Sequence, residues 1–157
     1  MNTRPTLSPL KAVLLCGMAA ISAKAMATTA PATPAAPTLV RFYLGPLDQP
    51  TALTIALDSC TTLVKSGHLA EADAACDRAV HAARTDRAER GGSLITTNTD
   101  EGLAAAYNNR AVLRYLQGEM SAAVADSNRA VTIAPSAAVA STAAFIEAAM
   151  HRTARND

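Results

Sequence analysis

Apolar and small side chains recur at helical spacing through the second two-thirds of this chain, and polar or turn-forming residues break the pattern at intervals. The clearest stripe is near the end. Val139, Ala143, Ile146 and Met150 stand at i, i+4, i+7 and i+11, which predicts one amphipathic helix over about 138–152. Upstream, residues 104–137 read AAAYNNRAVLRYLQGEMSAAVADSNRAVTIAPSA and predict a helical hairpin. Ala111, Ala123 and Ala130 are small enough to let two antiparallel helices approach closely. Gly118 can end the first helix in a left-handed conformation. Glu119 suits the positive end of the next helix, and Pro135 stops it. A weaker hairpin is expected over about 53–86, with Gly67 at its turn and Ala72 and Ala79 as the small residues of its second helix. Between the hairpins, about residues 85–102, the run GGSLITTNTDEG reads as a long loop, with Asn98 and Glu101 as a cap for the following helix.

The window 104–137 resembles a tetratricopeptide repeat, a unit of 34 residues folded as helix, turn and helix. With Ala104 at position one, Tyr107 takes the large aromatic position and Ala111 the small one. Gly118 falls at the turn, Ala123 and Ala130 at the small positions of the second helix, and Pro135 at the closing proline. Residues 53–86 fit the same frame from Leu53, with Cys60, Ala72 and Ala79 at small positions. They depart from it at Ala56, Cys76 and Arg84, where an aromatic, an aromatic and a proline are usual. The resemblance implies an all-α fold: a short right-handed solenoid of two helix-turn-helix repeats with a C-terminal capping helix. It implies binding rather than catalysis, with a protein or peptide as partner. In this family the first helix of each repeat lines a concave groove. The corresponding residues are Ala105, Asn108, Val112, Tyr115 and Leu116 in the second repeat, and Thr54, Leu57, Thr61, Val64 and Lys65 in the first. Asn109 stands at the asparagine of members that clamp a carboxylate. Leu57 and Thr61 replace the other clamp residues and Thr142 and Ile146 supply no basic pair, so the clamp is not carried over. Asn108, Asn109, Val112 and Tyr115 are the expected groove residues. For Asn109 a second reading stays open, an asparagine that packs between helices, and for Tyr115 another, in which its ring packs under the insert or against the segment 39–50.

Cys60 and Cys76 fall on facing helices of the first repeat, at heights only a few ångströms apart given the helical rise of about 1.5 Å per residue. A disulfide is geometrically possible there, and two reduced, buried thiols are the alternative. The remaining cysteine, Cys16, lies in a segment with the marks of a secretory signal. Arg4 and Lys11 precede an apolar run, Ala12 to Ile21, too short to span a bilayer. Small residues follow, with cleavage expected after Ala27 or Ala25. Leu15 before Cys16 argues against a lipoprotein. Residues 1–27 are therefore expected to leave an exported chain, periplasmic in the first instance and secreted in the second. That setting favours the disulfide.

Charge narrows the partners. The chain has 14 basic and 13 acidic residues. Without Arg4, Lys11 and Lys24 the balance is 11 to 13, a net charge near −2, which is no footprint for nucleic acid. Residues 28–38, TTAPATPAAPT, read as a linker with nothing to bury. Residues 39–50, LVRFYLGPLDQP, form an apolar arm. Three readings of the arm stay open: packing on the first helix, a two-stranded pairing with Ser93–Thr97, or a segment offered to another protein. No membrane span is expected after signal cleavage. His68, His81 and His151 sit in no nucleophile–base arrangement and no metal-ligand spacing, so neither enzyme activity nor a cofactor is expected. A short two-repeat groove leaves homo-oligomerisation open. The groove is then filled either by a partner or by the chain's own arm or a second copy.

Overall fold

The computed structural model describes residues 36–41, 50–90 and 96–155. The expected signal, residues 1–27, lies outside them, as do most of the linker and residues 42–49 of the arm. The described residues form five helices: α1 Ala52–Lys65, α2 Leu69–Arg90, α3 Thr96–Leu116, α4 Met120–Ile133 and α5 Ala137–Thr153. The described residues include no strand, so the all-α expectation holds. Each helix packs on the next in sequence, α1 also reaches α3, and α3 also reaches α5. None of the described helices is long and apolar enough to cross a membrane.

The helix ends follow local chemistry. The Thr51 hydroxyl accepts the N–H of Thr54 at 3.2 Å, and that of Ser136 accepts the N–H of Val139 at 3.3 Å, each satisfying a donor that the first helical turn leaves unpaired. Both hairpin turns are closed in one way. Gly67 and Gly118 have φ of 78° and 81°, a conformation that costs an L side chain but not glycine. The N–H groups of Gly67 and His68 bond back to Val64 and Leu63, and those of Gly118 and Glu119 to Tyr115 and Arg114. This pairing is the Schellman closure, made twice.

The small residues of the sequence frame lie at equivalent depths. Ala72 and Ala79 on α2, and Ala123 and Ala130 on α4, are all fully buried. Cys60 and Cys76 are joined by a disulfide, with their Cα atoms 4.7 Å apart, and both are inaccessible to solvent.

The end of the run expected to be a loop, residues 96–102, is helical instead, while residues 91–95 lie outside the described residues. α2 continues to Arg90 and α3 begins at Thr96. With Arg84 in place of a proline nothing stops α2, and the residues that follow include good helix formers. Asn98 therefore lies within α3 rather than at its cap, and Thr96 and Thr97, expected to be β-prone, are helical. Asp100 on the early α3 extension pairs with Arg87 of α2 at 2.7 Å, so the two extensions brace each other.

Candidate functional site

Residues 36–41 run in an irregular, strandless path with no helix of their own, yet their backbone is fully engaged at two alternate positions. Val40 donates its N–H to Asn109 Oδ1 at 2.7 Å, and its carbonyl accepts from Asn109 Nδ2 at 2.9 Å. The side-chain amide thus pairs with a main-chain unit as a neighbouring strand would, and reversing the amide would set donor against donor. Two residues earlier, the Thr38 N–H is accepted by Thr142 Oγ1 at 3.1 Å. The Thr38 carbonyl accepts from Asn108 Nδ2 at 2.7 Å. Thr61 of α1 supports the clamp by accepting from Asn109 Nδ2 at 3.3 Å. Side chains of α3 and α5 therefore bond one extended segment, α1 supports them through Thr61, and Leu39 and Val40 pack against the main apolar core.

Burial explains why these contacts matter. Asn108, Asn109, Thr61 and Thr142 are at most 1% exposed, and a buried amide is costly unless its hydrogen bonds are made. Asn108 makes only half of its set. Its Nδ2 also reaches Asn109 Oδ1 at 3.4 Å, while its Oδ1 is buried without a hydrogen-bond partner among the described residues.

Of the expected groove residues, Asn108, Asn109 and Val112 come together beside the arm. Val112 lines a cleft of about 480 Å³ with Ala36, Thr38, Val64, Lys65 and Leu116, and Leu116 stands 47% exposed. Tyr115 faces another cluster. Its ring meets Phe145 of α5 edge-on, with centroids 5.3 Å apart, alongside Val124 and Ile146. Tyr115 is only partly buried. A second cleft, of about 470 Å³, lies where Val40 and Arg41 meet Glu101, Ala105, Pro135 and Val139.

Two features are not visible in the sequence pattern. Ala36–Thr38 have the composition of a linker with nothing to bury, yet Thr38 is held through its backbone. Asp126, for which no motif suggests a role, is fully buried among arginines. Arg110 approaches it with Nε at 2.7 Å and Nη2 at 3.1 Å, Arg114 at 2.8 Å and Arg129 at 3.2 Å. Arg110 also reaches Asp77 at 2.7 Å. Burial works against the Arg110 charge, but hydrogen bonds and attraction from Asp126 and Asp77 outweigh it, so this guanidinium holds its proton more tightly than a free arginine. The Tyr107 ring lies among Arg84, Arg110 and Arg129, each 5.5–5.8 Å from its centroid, and its hydroxyl accepts from Arg84. The i, i+16 spacing of Arg110 and Asp126 crosses the turn at Gly118, so a hairpin reading could have found the pair.

Among the described residues no group of His, Cys, Asp and Glu side chains is arranged to hold a metal ion. Comparison with family models, curated proteins and solved structures returns no match for this chain.

Proposed function

We propose that this chain is a non-catalytic binding module of the tetratricopeptide type, which takes an extended polypeptide segment in a groove lined by α1, α3 and α5. The observation that carries this reading is the pair of hydrogen bonds between the Asn109 amide and the Val40 backbone. They read main chain, not a particular side chain, and main-chain pairing is a common way to hold an extended peptide. Helices packed each on the next, two hairpins closed alike and a fifth helix over the second hairpin support the repeat reading. The buried disulfide, and described helices too short or too polar to cross a membrane, are compatible with export, and the periplasm is the proposed compartment. The same observation gives weight to a second reading, in which the arm fills the groove permanently and the protein is structural.

Calorimetric titration of the full chain tests the first reading. Capped extended peptides should bind and helix-forming ones should not, with binding lost in N109A. Helix-forming peptides binding as well as extended ones, with N109A inert, would end it.

A further inference from the structure

We infer that residues 36–41 are a built-in stand-in for the ligand, held in the groove until an extended segment of another protein replaces them. This rests on the peptide-binding reading and adds its regulation and its recognition rule.

The arm is held by contacts that any extended chain can reproduce. The groove takes an N–H and a carbonyl at Thr38, and again at Val40, and both residues supply them from the backbone. The rule this sets is an extended segment with free N–H groups at two alternate positions, hence no proline at either. Proline one residue earlier is tolerated, as Pro37 shows. Apolar side chains are wanted where Leu39 and Val40 meet the core.

The arm is also an imperfect occupant. Among the described residues it leaves Asn108 Oδ1 buried and without a hydrogen-bond partner. It leaves open the cleft of about 480 Å³ beside Val64, Val112 and the half-exposed Leu116. A segment with the same backbone register and a bulkier apolar residue opposite that cleft gains burial that the arm forgoes. A second copy's arm gains nothing of the kind. It would exchange identical contacts while losing the advantage of the tether, which holds the chain's own arm at an effective concentration in the millimolar range. Another protein is therefore the occupant that the groove favours.

The test uses the full chain and a labelled, capped hexapeptide with the sequence of residues 36–41. Val40→Pro removes one of the paired N–H groups and should free the arm without touching the helices. Thr38→Pro does the same at the other position, and circular dichroism checks that both variants keep their helical content. Because a tethered competitor scales down apparent affinity by the fraction of empty groove, each variant should bind the peptide about ten-fold or more tightly than the native chain. Adding Asn109→Ala to Val40→Pro should abolish that binding. Equal affinity of native and variant chains would overturn the inference and leave the peptide-binding reading standing. Absence of binding to folded Val40→Pro and Thr38→Pro chains would overturn both. A native dimer that Val40→Pro converts to monomer would assign the groove to a second copy's arm and also overturn the inference.

Discussion

The two helical hairpins, α1–α2 and α3–α4, share a turn and a set of buried small residues but are fastened by different means. Counted from the turn glycines, Cys60 and Cys76 of the first hairpin correspond to Ala111 and Ser127 of the second, all fully buried. One position before Cys76 lies Ala75, and its counterpart is Asp126, equally buried. The first hairpin thus encloses alanines, leucines and one covalent crosslink. The second encloses a carboxylate ringed by Arg110, Arg114 and Arg129. One backbone geometry accepts a crosslink or an ion network at nearly the same depth. The geometry is fixed by the small residues and the glycine, while the fastening is free to vary.

Removing the fastening of the second hairpin should have the largest effect. Asp126→Ala leaves Arg110 and Arg114 partly buried with their main counter-charge gone, a loss of about 3–5 kcal/mol. Amide exchange should accelerate first in α3 and α4, and an unchanged melting midpoint would show that the network holds nothing. Next comes the first hairpin. Replacing both Cys60 and Cys76 by serine opens a loop of about 15 residues and should cost roughly 3 kcal/mol, with faster exchange concentrated in α1 and α2. If the loss spreads evenly over all five helices, the hairpins are not separately fastened.

The arm touches both hairpins and α5, so freeing it should weaken them together. Val40→Pro removes the short bond to Asn109 Oδ1, which keeps only the long contact from Asn108 Nδ2 at 3.4 Å, and should cost about 1–3 kcal/mol. A loss confined to α3–α4 would mean that the Thr61 contact contributes nothing. The smallest effect belongs to the junction. Arg87→Ala removes an ion pair that is half in solvent and should change stability by less than about 1 kcal/mol. A larger change would mean that the α2 and α3 extensions carry weight assigned here to the hairpin cores.

The hairpins were legible because their determinants are local. Gly67, Gly118, Pro135 and the buried alanines act within one turn or one helix crossing, and they are readable from spacing alone. The site was half legible. Asn108, Asn109 and Val112, picked out together from the sequence, do come together beside the arm, but Tyr115 turns to Phe145, a partner 30 residues on. The arm's register was invisible, because a backbone N–H at Thr38 looks the same in every sequence that lacks a proline there. The start of α3 at Thr96 was not legible, because glycines and polar turn residues in GGSLITTNTDEG suggest a loop that continues to Gly102.

The arm's bonds also bear on the order in which the molecule can assemble. Thr38 and Thr142 are separated by 104 residues, and Val40 and Asn109 by 69, while each hairpin closes over a short stretch of chain. Local closures are fast and distant ones slow. A segment near the start of the described chain therefore has its binding partners only after α3 and α5 exist. Helix formation should finish before the arm docks, giving two kinetic phases. A probe attached near Ala36 should report only the slower one, and Val40→Pro should delete that phase while leaving the faster one unchanged.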